Sequence, residues 1–444
     1  VQIGIAIALE QAAGHAAAPS VGSPSFALIN TTFTNDLSPD GMTWAAQRGA
    51  FLVDQYGVLI QYIQRQNGGT RLCYYVYSND SGATWNDNSG ISGGEGFLAR
   101  GAIVYDSTRD CIHELIVTLN PGDGGIIYRR ISITRDGSHH ITSLARVAGV
   151  SLSMDDPSGG AEFPTIIMPD ANTLLAAWTA TTGSGGEIRC CKCDITSDAD
   201  AGKTAANWVH IGVNSTTTIG SAPAVGSYTI PFTQASAVLT YFNLIQLAGG
   251  DLRWVYHSGA VPGAWRTRRS VKSATNVWNS LSSPVTITNV QRSGTDTGYT
   301  LKNQLVSQPS RNSADTVFVG LATWKDNANG DTWGAYAITS ADAVTNADVY
   351  SAGGAHSYAP TGDCVYDSTS DRVVVSYEKT TTQFSYIVLL KTDLTSAQAE
   401  TLLSNAAVID IPLLYPRNSG KLYSFYRKAG SPPQPGYFGT MTWS

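Results

Sequence analysis

Ser78-Asn79-Asp80-Ser81-Gly82-Ala83-Thr84-Trp85 is the stretch that decides the fold class of this chain. Asp80 can accept hydrogen bonds from the amides of a tight turn, and Gly82 permits a positive φ. Trp85 offers a large apolar face that can seal one sheet against the next. The octapeptide therefore reads as a structural turn between two strands. Weaker copies follow it: Thr134 to Ser138 keeps Asp136 and Gly137, and Ser273 to Trp278 keeps only its ends.

Working outward, the chain repeats itself. Val104-Tyr105-Asp106-Ser107-Thr108-Arg109-Asp110 returns as Val365-Tyr366-Asp367-Ser368-Thr369-Ser370-Asp371, and Arg48 to Asp54 is echoed by Arg100 to Asp106. Each copy is an apolar strand, a polar turn and a second strand, the signature of a β-hairpin. Further hairpin turns are expected at Pro169 to Asn172, Ala248 to Asp251, Asn312 to Asp315 and Asn418 to Lys421, which makes seven hairpins. A third strand follows, ending in pairs such as Thr196-Ser197-Asp198, Ser340-Ala341-Asp342 and Thr392-Asp393.

A hairpin with two further strands is one propeller blade. The expected fold is thus an all-β propeller of four-stranded antiparallel blades, seven favoured and six as the alternative. The seventh unit stops after a third strand, Tyr437 to Trp443, so Ser25 to Phe33 is expected to supply its fourth and close the ring. The division is a docking or flexible arm over residues 1–24 and one propeller over 25–444. An insertion is expected between His210 and Leu239, the longest gap in the repeat.

Composition agrees with strands joined by polar turns, because only 14% of residues are charged and 44 are glycine. The net charge of −6 argues against phosphate-neutralising nucleic-acid binding. No apolar run reaches the length of a membrane span. Cys190-Cys191-Lys192-Cys193 has no second ligand pair at ordered spacing, and the seven histidines form no metal motif, so neither a metal nor a cofactor is expected.

The octapeptide fits the Asp-box pattern, Ser/Thr-x-Asp-x-Gly-x-Thr-Trp, through Ser78, Asp80, Gly82, Thr84 and Trp85. With the hairpin before it, Arg48 to Trp85 resembles the first blade of the sialidase-like Asp-box (BNR-repeat) β-propellers. The resemblance extends to the other blades only as a repeat. It implies three arginines that clamp a carboxylate, an aspartic general acid, and a tyrosine nucleophile activated by a glutamate. Arg48 stands where the first of those arginines belongs, and Arg100 takes the same repeat position one blade later, so the two could share an anionic ligand. The loop Arg65 to Arg71 has no carboxylate to act as the acid. Tyr241-Phe242-Asn243 and Tyr256-His257-Ser258 lack the glutamate and arginine, although Arg253 is close. Glu95, Glu162 and Tyr358 are the substitute catalytic candidates.

The function this favours is carbohydrate recognition or receptor binding without catalysis, in a phage tail or another surface assembly. A glycan, anionic in one version, is the expected partner. A homo-oligomer or virion neighbours would be contacted through the N-terminal arm, and the location would be extracellular or on a virion. The alternatives are a sialidase-type exo-glycosidase, or another carbohydrate-active enzyme, with a rearranged site, and an architectural virion subunit.

Overall fold

The computed structural model describes residues 24–37, 51–67, 70–88, 97–118, 125–155, 162–182, 185–212, 216–217, 228–234, 241–258, 263–290, 306–326, 330–351, 362–380, 383–404, 413–415, 421–427 and 434–443. Residues 1–23 lie outside this set, and so do Arg48, Glu95 and Tyr358.

The chain is all-β and folds as a β-propeller. Each expected hairpin is an antiparallel pair, from Phe51–Val53 with Leu59–Asn67 to Leu413–Tyr415 with Lys421–Arg427. The described strands form six hydrogen-bonded sheets. Sheet I has eight strands and holds both ends of the described chain, with Pro24–Leu37 antiparallel to Gln434–Trp443. Sheets II (Phe97–Asp106 to Ile141–Ser153), V (Ser310–Arg311 to Val344–Ser351) and VI (Gly362–Asp367 to Ser396–Ser404) have four strands in sequence order. Sheet IV (Phe242–Gln246 to Val285–Val290) has five.

Sheet III, opening at Glu162–Asp170, has six strands. Its extra strands, Thr216–Thr217 and Tyr228–Gln234, fall inside the stretch expected to hold an insertion. First strands pack on first strands, as Glu162–Asp170 does on Phe97–Asp106 and on Phe242–Gln246, so they surround the axis.

Every sheet has two unlike ends. At one end lie the tight turns inside hairpins and, in all but sheet III, those after third strands. The other end carries the starts of first and third strands and the links between sheets.

The tight-turn end is built on aspartates. Asp54, Asp106 and Asp367 occupy the same repeat position and are buried. Asp54 Oδ1 accepts the amides of Tyr56 and Val58 at 2.9 and 2.8 Å, Asp106 Oδ1 those of Thr108 and Arg109 at 2.9 and 3.0 Å, and Asp367 Oδ2 that of Ser370 at 2.9 Å. In the last two turns an aspartate with positive φ completes the reversal, Asp110 at 48° and Asp371 at 57°. Arg135 then ties sheet II to sheet I, reaching Asp110 at 2.7 Å and Asp54 at 2.8 Å. Arg109 ties sheet II to sheet III, donating to the carbonyls of Ala171 and Ile195 and to Asn172 Oδ1.

The turn Ser78 to Trp85 is held in the way its sequence suggests. Asp80 Oδ1 accepts the Thr84 amide at 2.8 Å, and Ser78 Oγ accepts the Gly82 amide at 2.7 Å. Trp85 meets Phe438 of the strand Gln434–Trp443 edge-on, with ring centroids 5.2 Å apart. Most other described tryptophans are core. Trp178, Trp208, Trp254, Trp265 and Trp333 are fully buried, where they pack between and within sheets.

Gly57 and Gly82 both have positive φ, 82° and 95°, but a Cβ on Gly57 meets open space while one on Gly82 runs into the Phe438 ring. Gly57→Ala should therefore cost about 1–2 kcal/mol, the backbone penalty alone. Gly82→Ala should cost clearly more, read as a lower denaturation midpoint in urea. Equal losses would show that the Phe438 ring swings aside freely.

Candidate functional site

The end carrying the links between sheets is where the first strands of sheets II and III depart from regular pairing. In sheet II, Phe97 faces Thr118 and Gly101 faces Ile116, so Leu98, Ala99 and Arg100 are set against Val117 alone. In sheet III, Glu162 faces Thr179 and Thr165 faces Ala177, leaving Phe163 and Pro164 together opposite Trp178. Phe163 adopts φ 51°, a conformation that bulky side chains rarely hold, and its ring lies 4.5 Å from that of Tyr241. Bulges of this kind redirect side chains and concentrate beside functional sites.

The two irregular segments thus lie at the same end of adjacent axis-lining strands, and they bring two of the sequence-derived candidates, Arg100 and Glu162, onto neighbouring strands. Arg48, Glu95 and Tyr358 lie outside the described residues.

Trp178 continues the row outward, pairing with Arg189 on the third strand of sheet III. Arg189 Nη1 binds both oxygens of Asp155, at 2.6 and 2.7 Å, and its Nε binds Glu187 Oε1 at 2.5 Å. The Trp178 indole N–H also donates to Asp155 Oδ2. Tyr228 lies beneath the guanidinium, its ring centre 4.9 Å away. Burial lowers the proton affinity of Arg189, but Asp155 and Glu187 more than offset this and the net shift is upward. Burial pushes the Tyr228 hydroxyl up to about 12. Asp155 follows the last strand of sheet II, so this ion-pair set also joins the two sheets behind their bulges.

Sequence reasoning did not find these three residues. Glu187 and Arg189 carry a local signal, since residues two apart on a strand share a face. Asp155 carries none, because it arrives from another sheet.

The cysteines offer no chelate in Cys190-Cys191-Lys192-Cys193. Strand alternation sends Cys190 into one hydrophobic cluster and Cys191 with Cys193 into another. Burial raises all three thiols, that of Cys193 to about 12.

In sheet IV, His257 lies one residue before the end of the second strand at this same end, buried, with no partner for Nε2 among the described residues. Burial lowers its pKa from 6.5 to about 4.

No family model matches the sequence, and no curated protein matches it. Among solved structures, the chain is similar to the polysaccharide lyase Uly1, with a TM-score of 0.52 and 9% identity over 95% of this chain and 99% of that one. It is also similar to an α-L-arabinanase of Penicillium chrysogenum (TM-score 0.45, 12% identity, 86% and 99% covered). The WD40 domain of Toxoplasma gondii coronin gives a TM-score of 0.48 at 9% identity, with 96% and 88% covered. At such identities the likeness is one of fold.

Two outcomes follow from this geometry. Asp155→Ala leaves the Arg189 charge buried with half its partners and should cost about 3–5 kcal/mol. Asp155→Ala with Arg189→Met should recover part of that loss, which paired denaturation curves would show. For His257, the unfolded chain binds a proton below 6.5 that the folded chain refuses until about 4. Stability should fall by about 3 kcal/mol as pH drops through that window, and His257→Leu should flatten that part of the profile. A variant with an unchanged slope would place the titrating group elsewhere.

Proposed function

We propose that this propeller recognises carbohydrate, without turning it over, at the bulged ends of the first strands of sheets II and III. The observation that carries the reading is the pair of bulges on neighbouring strands, holding Arg100 and Glu162. A cation and a carboxylate on adjacent strands match a polyol or an anionic sugar, which needs fixed donors and acceptors in close array. The set behind them serves as support, because Asp155 and Glu187 are both engaged by Arg189. A polysaccharide lyase of similar fold is consistent with a glycan as ligand.

The same reading takes the turn Ser78 to Trp85 as a true Asp box of the sialidase-like class. It takes sheet I as two blades joined edge to edge at the Leu37–Arg65 pair, giving seven blades closed by the N-terminal strand. The antiparallel partnership of Pro24–Leu37 with Gln434–Trp443, starting at Pro24 with Trp443, supports this division. The N-terminal arm, residues 1–24, is taken as the segment that docks on neighbours in a surface or virion assembly outside the cell.

The test is a glycan array run beside a panel of fluorogenic glycosides, sialosides included, on the wild type and on Arg100→Ala and Glu162→Ala. Glycan binding that weakens at least about tenfold in each variant, with no turnover, is expected. Turnover abolished by Glu162→Ala would replace recognition with a rearranged hydrolase. A protein that neither binds nor turns over any glycan would overturn the recognition reading.

A further inference from the structure

The repeat supplies its own control for one unusual group. The hairpin of sheet II and that of sheet VI share Tyr-Asp-Ser-Thr-x-Asp, and both use the tyrosine in the same way: Tyr105 Oη donates to Asp110 at 2.7 Å and Tyr366 Oη to Asp371 at 2.6 Å. Immediately afterwards the copies diverge. Sheet VI continues Arg372-Val373-Val374, whereas sheet II continues Cys111-Ile112-His113. Val374 shows that this hairpin folds with an apolar side chain at the position of His113. A fully buried imidazole there is therefore not a requirement of the turn, and burying it without need is unfavourable.

His113 Nε2 faces Asp106 Oδ2 at 3.6 Å and Cys111 Sγ at 3.7 Å, and the three ligand atoms all lie within 4.8 Å of one another. The carboxylate separation is too long for a hydrogen bond. Both separations suit a shared ion. Tetrahedral bonds of about 2.0–2.1 Å to nitrogen, 2.3 Å to sulfur and 2.0–2.2 Å to oxygen put the ligand atoms roughly 3.3–3.6 Å apart. The other ring nitrogen, Nδ1, is 2.8 Å from Tyr128 Oη, the outer contact that fixes the orientation of a metal-binding imidazole. Arg109 Nη1 bonds the same Asp106 oxygen at 2.9 Å, and a carboxylate oxygen has a second lone pair for a metal.

We infer that Asp106 Oδ2, Cys111 Sγ and His113 Nε2 form a binding site for a divalent transition-metal ion of the zinc class, inside sheet II. One carboxylate and one thiolate neutralise the ion, and the thiolate with the imidazole selects it over calcium or magnesium. Three protein ligands leave one tetrahedral position for water. The ion staples the first strand, through Asp106, to the second, through Cys111 and His113. It lies near the tight-turn end, away from the proposed carbohydrate site, so the two inferences stand or fall separately.

The experiment loads chelator-treated full-length protein with Zn2+ and counts retained metal by mass spectrometry. It is run on the wild type, His113→Val, which installs the residue of the sister hairpin, and Cys111→Ser. About one Zn2+ per wild-type chain is expected, less than a tenth of that in each variant, and a higher melting temperature on loading in the wild type alone. Substitution of the wild type with Co2+ should give the absorption band of a thiolate bound to cobalt, which needs no variant to fold. Absence of that band, no metal retained by the wild type, or metal retained by both variants would overturn the inference.

Discussion

A buried carboxylate at the end of a first strand, as at Asp54, Asp106 and Asp367, is the constraint on which much of the architecture depends. A carboxyl group removed from water is costly unless its oxygens find partners, and at Asp54, Asp106 and Asp367 the amides of the following turn bond one oxygen of each. Only one path of the turn brings those amides to the carboxylate, so the aspartate fixes the reversal and with it the pairing of first strand to second. Register matters acutely in a propeller, because a slip of one residue would turn every core side chain of the strand to the wrong face. The arginines act on this fixed frame. Arg135 and Arg109 can bridge sheets I to II and II to III only because the turns they reach are already set.

That division of labour explains why the two ends of the sheets differ. The tight-turn end is specified by short-range interactions and repeats from sheet to sheet. The opposite end is free of that requirement, and there the first strands of sheets II and III bulge and a phenylalanine takes a positive φ. Strain of this sort persists only where its surroundings hold it. Here the surroundings include the Asp155, Arg189 and Glu187 set and the Trp178 indole. A rigid end thus supports an end that can vary, which is how one fold accommodates unrelated sites.

The same contrast governs what could be read from the amino-acid sequence. Hairpins were legible because their determinants are local: an aspartate, a polar turn and two apolar runs within about fifteen residues. The turn at Ser78 to Trp85 was legible for the same reason. Asp155 was not, since its partner Arg189 lies on another sheet and 34 positions away. The Cys-Cys-Lys-Cys run drew attention by proximity in sequence, yet alternation along a strand sends its sulfurs to opposite faces. Asp106, Cys111 and His113 went unnoticed because their spacing follows the geometry of a hairpin and matches no ordered pair of ligands.

The burial of tryptophan also bears on what kind of ligand this protein can hold. Five of the described tryptophans are fully enclosed, two of them on second strands (Trp178 and Trp254) and two on third strands (Trp265 and Trp333), where they fill the core. Rings enclosed in this way present no face to a sugar, so these five serve packing, and the recognition proposed at the bulged end draws on Arg100 and Glu162. Such groups discriminate strongly only when held in place, because a mobile donor loses on ordering what it gains on binding. A paired and buried set behind the bulges provides that immobility. It also makes the bulged end sensitive to change behind it, since removing Asp155 would release Arg189 and with it the row that Trp178 shares with the Phe163 bulge.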